Sequence, residues 1–121
     1  MTIKKPNIIS ANIIGGDTSK YSYEQEDAIY GSTVGVSDYV LTVPTAALNI
    51  IAGLEVDAGV VARVEYTTNI LDKVLKGTAT WHPWANGDVS SYKDGFVVLC
   101  TAVRLVKVSG VGTARMSVRM Q

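Results

Sequence analysis

The sequence predicts an all-β protein, an antiparallel β-sandwich of jelly-roll-like type with one short helix and an extended N-terminal arm. From Tyr39 onward, short stretches of alternating apolar and polar side chains recur at spacings of roughly ten residues. Turn residues such as Gly, Pro, Asn and Asp separate these stretches. Regularly spaced short strands of this kind indicate a sandwich rather than an α/β fold. The 121 residues suit one domain.

The clearest strand pattern lies at the end of the chain. Residues 96–108 are apolar for longer than one covered face requires, which predicts a strand covered on both sides or a bulge near Val106. Two glycines in 109–113 predict a turn, so we expect a long β-hairpin that closes the fold. After the turn, one face carries Ala114, Met116, Val118 and Met120, and the other carries Arg115, Ser117 and Arg119.

Four further segments precede this hairpin. Alternation predicts strands over 39–43, 48–55 and 62–67, and again over 78–84. Between the last two, apolar residues of 69–77 recur at helical spacing, and we expect a short helix with Asn69 as its N-cap and Gly77 at its end.

The first third of the chain reads differently. The isoleucine pairs at 8–9 and 13–14 predict a first strand, or an arm that lies on a neighbouring subunit. Residues 17–38 are rich in Ser, Thr, Gly, Asp and Tyr and predict irregular surface chain that wraps around a partner. We therefore divide the chain into an arm at 1–38 and a sandwich at 39–121, and expect the sandwich to fold without the arm. The expected interface residues are Tyr21, Tyr23, Tyr30, Arg115 and Arg119.

Composition narrows the range of partners. Eleven basic and eleven acidic residues cancel, whereas a nucleic-acid-binding protein normally carries a basic excess. The charged share of 18% is below the about 25% that is usual for soluble domains, which indicates that a partner covers part of the surface. No secretory signal or membrane span is recognisable, so we expect synthesis in a cytoplasm and no membrane partner.

The residues that most often carry chemistry are isolated here. His82 has no second histidine or cysteine cluster beside it, so we expect neither a metal site nor a cofactor. Cys100 lies in an apolar run and reads as a small buried hydrophobic residue rather than a nucleophile. We expect a protein that is not an enzyme, although carboxylates that converge only in the fold leave a small hydrolase open.

The aromatic residues allow a second function. Trp81, Trp84 and Tyr92 could form a platform on which sugars stack, as in a lectin-like carbohydrate-binding module. The alternative is structural: Trp81 fills the core and Trp84 plugs one end of the sandwich. We favour the alternative because large aromatic side chains generally dominate cores.

The order of several short motifs carries a resemblance that covers about half of the chain, residues 59–118. The motifs are ARVEYT at 62–67, GTATW at 77–81 with a second tryptophan at 84, GDV at 87–89, TAVR at 101–104 and GTA at 112–114. In this order they resemble a family of small β-sandwich virion proteins of tailed bacteriophages. The resemblance implies a homo-oligomeric capsid decoration or cement subunit, or another accessory head or tail part. A homotrimer bound to the major capsid protein or another virion protein, made in the host cytoplasm, would suit this role.

Overall fold

The computed structural model describes residues 2–4, 7–14, 18–45 and 47–121, with the side chains of 23–45 and 47–121. Within these residues the chain forms two packed β-sheets and one short helix, so the predicted all-β sandwich is confirmed. The strands are β1 (Thr2–Lys4), β2 (Asn7–Ile14), β3 (Thr18–Ile29), β4 (Gly35–Val36), β5 (Tyr39–Thr42), β6 (Ile50–Val56), β7 (Val61–Thr67), β8 (His82–Pro83), β9 (Lys93–Val97), β10 (Ala102–Ser109) and β11 (Ala114–Met120), and the helix is α1 (Leu71–Leu75).

The strands divide into sheets of six and five. The six-stranded sheet has the order β1-β5-β10-β7-β8, and β4 pairs with β10 beside β5. The five-stranded sheet has the order β2-β3-β11-β6-β9. Pairing between the described strands is antiparallel except where β1 lies parallel to β5. The core lies between the two sheets.

Strand β11 confirms the alternation read from the sequence. Its apolar residues, from Ala114 to Met120, are buried, while Arg115, Ser117 and Arg119 are exposed. The neighbouring strand β6 contributes Leu54, and strand β7 of the opposite sheet contributes Val64, to the same core. This period of two is the direct result of successive side chains pointing to opposite faces of a strand.

Strand β10 is buried on both faces, as the longer apolar run predicts. Val103 and Leu105 enter the main core, while Ala102 faces outward into a second small cluster with Val40 and Val74. The register of β10 against β7 also shifts between Lys107 and Ser109, so the strand carries an irregularity close to the predicted bulge.

Helix α1 covers the outer face of the six-stranded sheet by burying Val74. It is shorter than predicted, and Ile70 takes the N-cap position without a side-chain hydrogen bond. Asn69 instead accepts a hydrogen bond at Oδ1 from the backbone N–H of Thr80 at 2.7 Å, which fixes the segment after the helix. Of the predicted strand at 78–84, only His82–Pro83 is a strand. No helix in the described chain is long and apolar enough to cross a membrane.

The predicted terminal hairpin is wrong. Strand β10 pairs with β7 on one side and with β4 and β5 on the other, whereas β11 lies between β3 and β6. Residues 110–113 therefore cross from one sheet to the other, as do residues 30–34 and 57–60 at the same end. We call these three connections the arches. Because β10 and β11 belong to different sheets, the apolar face of each packs against the other across the core. Two strands paired within one sheet would instead lie side by side and leave those faces uncovered.

Glycines allow two of the arches to touch. Gly110 has a φ of 98°, and a Cβ there would lie 2.3 Å from the carbonyl oxygen of Gly59. Gly112 has a φ of 134° and packs against Asp57, whose Oδ2 accepts a hydrogen bond from the N–H of Thr113 at 2.8 Å. Any other residue at these two glycines would strain the backbone and, at Gly110, clash with the neighbouring arch.

The structure also corrects the prediction of irregular chain over 17–38. Residues 18–29 form the longest of the described strands, and β3 pairs with β11 through seven successive residues, from Ile29 opposite Ala114 to Tyr23 opposite Met120. Ile29 belongs to the main core. The sequence pattern hides this strand because its outward positions are polar and its inward positions are not uniformly apolar: Asp27 points inward and is buried, with Ser37 donating a hydrogen bond to it.

Candidate functional site

A patch of exposed apolar side chains lies at the free edge of the five-stranded sheet. Strand β9 pairs with β6, and no other described strand pairs with it. Ile51 and Phe96 are partners in this register, so both point to the outer face, where Phe96 is 71% exposed. We call this surface the edge patch; its members are Ile51, Phe96, Val98 and Leu99. An unpaired edge flanked by apolar side chains is a surface onto which another chain can add.

A second apolar surface lies on helix α1. Val74 packs inward, but Ile70, Leu71 and Leu75 are exposed. We call these three residues the helix patch. It lies over the six-stranded sheet, whereas the edge patch belongs to the five-stranded sheet. The two patches therefore lie on different sheets.

A groove with a volume of about 570 Å³ crosses the outer face of the five-stranded sheet. Its floor comes from β3, β11 and β6, and Tyr30, Tyr39 and Tyr92 stand around it. Glu26, Glu55 and Arg115 supply charge along the same surface. A smaller cavity of about 210 Å³ continues past Tyr30 and Tyr39 towards the arch at residues 30–34.

A network of charged residues covers part of the other sheet. Glu65 is buried and accepts hydrogen bonds from Nε of Arg63 at 2.7 Å and from the guanidinium of Arg104 at 2.7 and 2.9 Å. Arg63 also contacts Asp88 at 3.2 Å, and the guanidinium carbon of Arg104 lies 4.3 Å from the ring centre of Trp81. Burial alone would raise the pKa of Glu65, but the two arginines outweigh it and the pKa is lowered. The network anchors the 81–88 segment to the sheet.

The predicted interface residues are distributed over different environments. Tyr30 and Arg115 line the groove, and Arg119 lies near Glu24, 3.6 Å away, on the same outer face. Tyr23 is instead partly buried against the main core, because it lies opposite Met120 on the inward side of β3, and this corrects its expected exposure. Tyr21 belongs to β3, and the structure does not describe its side chain.

The three aromatic residues proposed as a sugar platform do not share a surface. Trp84 is 3% exposed in the main core and donates from Nε1 to the carbonyl oxygen of Gly87 at 2.8 Å. Trp81 is half-buried over the six-stranded sheet, and Tyr92 is 62% exposed beside the groove on the five-stranded sheet. A sugar cannot stack on all three rings at once, so this predicted platform is wrong.

The two candidate chemical residues, His82 and Cys100, lie in different environments. His82 is exposed in β8, and its ring centre lies 5.9 Å from that of Tyr66. Cys100 packs against the main core, and burial raises the pKa of its thiol to about 11, against a weaker opposing hydrogen bond with the backbone of Ala102. Among the side chains that the structure describes, no three His, Cys, Asp or Glu residues converge as metal ligands.

Sequence reasoning missed both the edge patch and the groove. The apolar run from Phe96 to Cys100 predicts a strand inside the sheet, whereas β9 ends at Val97 and leaves Val98 and Leu99 exposed. The groove depends on which residues β3, β11 and β6 bring side by side, and only the register gives that. The sequence indicates Tyr30 and Arg115 individually as interface residues, but it does not indicate that they line the same groove.

Comparisons with known proteins give no family assignment. No protein-family model matches the chain, and no curated protein is significantly similar to it. Function is therefore inferred from the residues and their arrangement.

Proposed function

We propose that this chain is a non-enzymatic structural protein of a bacteriophage virion, an oligomeric decoration or cement subunit that binds and stabilises the capsid. The motif order described above supports the virion assignment, and the exposed apolar surfaces support an assembling subunit. In this proposal the edge patch joins copies of the chain into a homotrimer, and the helix patch contacts the major capsid protein or another virion protein.

The edge patch is the observation on which the proposal depends. Three of its side chains, Phe96, Val98 and Leu99, are each more than half exposed, with values of 71%, 57% and 51%. They flank the outer strand of a sheet, where natural proteins usually place charge or proline to prevent edge-to-edge association. Lys93 and Asp94 begin β9, but its last residues and the two that follow carry no charge. In a trimer, association would bury this apolar surface against a different surface of the neighbouring copy, because a threefold contact joins unlike surfaces.

Two further observations agree with this role. Eleven basic and eleven acidic residues leave the chain with no net charge, so long-range repulsion does not oppose the packing of copies. The thiol of Cys100 stays protonated near neutral pH because its pKa is raised to about 11, which is the opposite of what a nucleophilic cysteine requires.

Substitution of Phe96 tests the oligomer. We expect light scattering after size exclusion to give the mass of three chains for the wild type and a lower mass for Phe96→Glu. Val111→Glu is the matched control, because Val111 is also an exposed apolar residue, at 76%, but lies on an arch outside both patches. A wild-type chain that stays monomeric at all concentrations, or a control that dissociates equally, would contradict the proposed interface.

Binding to the virion requires a second experiment. Purified particles that lack the chain would be mixed with it and sedimented, and we expect the wild type to sediment with them. Leu71→Glu should weaken co-sedimentation without changing the oligomer mass, since Leu71 belongs to the helix patch. If the wild type does not bind the particles, the virion assignment fails even where the oligomer exists.

A further inference from the structure

We propose that the groove between Tyr30, Tyr39 and Tyr92 binds a neutral oligosaccharide. This inference is independent of the virion assignment, because it rests on the outer face of the five-stranded sheet and not on either apolar patch. It also differs from the platform of Trp81, Trp84 and Tyr92, of which only Tyr92 belongs to the groove.

The floor of the groove includes three small residues, Gly53, Ser117 and Ala28. Ser117 pairs with Gly53 on one side and with Glu26 on the other, and the next outward position of β3 is Ala28. Large side chains at these positions would fill the sheet face, as they do where Phe96 pairs with Ile51. The depression therefore comes from the sequence of three neighbouring strands.

Tyrosine rings form the sides of the groove. Tyr30 and Tyr92 are 65% and 62% exposed, although each has an apolar ring that burial would favour. The hydroxyl of Tyr92 reaches over the floor, where it would lie 3.7 Å from a Cβ at Gly53. Tyrosine presents an apolar face together with a polar tip, which matches the alternation of C–H and hydroxyl groups on a sugar ring.

The polar groups of the groove can both donate and accept hydrogen bonds. Arg115 donates from a planar guanidinium, the carboxylates of Glu26 and Glu55 accept, and Ser117 does both. Neighbouring hydroxyls of a sugar match such planar groups, because a carboxylate or guanidinium can engage two of them at once. An apolar ligand would leave these groups without partners.

Charge narrows the class of sugar. Two carboxylates, those of Glu26 and Glu55, and one guanidinium, that of Arg115, line the outer face of the groove. An acidic sugar would meet an excess of like charge, so we infer a neutral one. The adjoining cavity of about 210 Å³ shares Ala28, Tyr30 and Tyr39 with the groove, which extends the site beyond a single ring.

A peptide fits the same surface less well. Extended peptides gain affinity mainly from backbone hydrogen bonds to a sheet edge. Over the groove, β11 already pairs with β3 and β6 through seven residues each, so its backbone groups are used within the sheet. A peptide would be left with side-chain contacts alone.

The proposal is tested by NMR titration of the full chain with neutral trisaccharides of glucose, galactose, mannose and N-acetylglucosamine. A sialylated trisaccharide and a hexalysine peptide serve as the acidic and the cationic comparison. We expect at least one neutral trisaccharide to shift the amide signals of β11 and β6 around Ser117 and Gly53, and the other two probes to leave them unchanged. Soluble trisaccharides avoid any contribution from multivalent binding.

Gly53→Val is the decisive variant. Gly53 has no positive φ, and a Cβ there makes ordinary contact with Tyr92, so valine fills the groove without straining the strand. We expect Gly53→Val to lower the affinity for the neutral trisaccharide at least about tenfold. Tyr92→Ala removes one exposed ring on which the sugar stacks and should lower the affinity up to about tenfold. Phe96→Glu, on the same sheet face outside the groove, should bind within about twofold of the wild type.

Three results would overturn the inference. The first is that none of the four neutral trisaccharides shifts any amide signal. The second is that the amide shifts persist in both Gly53→Val and Tyr92→Ala. The third is that the sialylated sugar or hexalysine binds and the neutral sugars do not. If Gly53→Val fails to fold, Tyr92→Ala and Arg115→Ala test the same site from the surface. Normal oligomer mass with no sugar binding would refute this inference alone, and sugar binding by a monomer would refute only the proposed assembly.

Discussion

Lys107 donates a hydrogen bond from Nζ to the carbonyl oxygen of Gly112 at 2.6 Å, although the lysine is fully buried. The same ammonium donates to the carbonyl oxygen of Gly31, which also accepts the N–H of Gly112 at 3.0 Å. One cation therefore joins two of the three arches that cross between the sheets. Buried charge is costly unless it is hydrogen-bonded, so this lysine stabilises the arches only while both carbonyls remain in place.

Lys107→Met should destabilise the protein. Methionine keeps the length of the side chain but leaves the carbonyl of Gly112 without its charged partner, and hydrogen bonds to charged groups contribute about 1.5–3 kcal/mol each. Part of this loss is offset because the buried ammonium no longer has to be desolvated, so we expect a net loss of about 2 kcal/mol. Urea denaturation would measure it, with the exposed Lys93→Met as control. Equal or higher stability of Lys107→Met would mean that the arches need no cation.

Acid should weaken the network around Glu65. The lowered pKa of Glu65 means that its contribution to stability is fully present above the unfolded-state pKa of about 4.3 and is lost as the pH falls through the folded value. We expect Glu65→Gln to lower the free energy of unfolding at pH 7 by about 1.5–3 kcal/mol and to reduce its further fall as the pH drops below about 4.3. Denaturation at a series of pH values from neutral to acid measures both effects. Glu55→Gln, on the outer face of the other sheet, is the control. If the free energy of unfolding depends on pH in the same way for Glu65→Gln and the wild type, the role of Glu65 is contradicted.

The strands with strict alternation were predictable from the sequence. The side chains of β11, from Ala114 to Met120, alternate without exception, and their burial follows the pattern. The doubly covered β10 was also recognisable, since its apolar run exceeds one face. Lys107 could have been identified too, because it shares the face of Val103 and Leu105, but an isolated lysine in a strand is normally assigned to solvent.

The strand topology and the candidate site were harder to predict from the sequence. The glycines at 110 and 112 predict a turn but do not distinguish a hairpin from an arch; the contact of Gly110 with Gly59, which lies far away in sequence, makes the difference. Strand β3 was missed because its inward Asp27 is satisfied by Ser37, a tertiary contact that a local pattern does not contain. The groove required the register of three strands, which no single segment specifies.

Cys100 should react slowly with thiol reagents in the folded protein. With a pKa of about 11, only about one thiol in a thousand is ionised at pH 8, compared with roughly a quarter at the unfolded value of about 8.5. Labelling with a chromogenic disulfide at pH 8 should therefore be at least about a hundredfold faster in denaturant. Because the pKa is raised by burial, the folded state also loses stability as the pH rises above about 8.5, and Cys100→Ala should remove that part of the loss. Rapid labelling of the native chain would show that the thiolate is accessible.

Strand β3 should be indispensable to the fold, in contrast to the expectation that residues 1–38 are a separable arm. Their deletion removes β3, exposes the edge of β11 and takes Ile29 from the core, so we expect circular dichroism and denaturation to show no cooperative transition. Ile29→Ala is the milder test; burial at 6% exposure predicts a loss of about 2–4 kcal/mol. Ile70→Ala, at 67% exposure, is the matched control and should change stability by less than about 0.5 kcal/mol. A cooperative transition in the deleted chain, together with a neutral Ile29→Ala, would mean that the five-stranded sheet forms without β3.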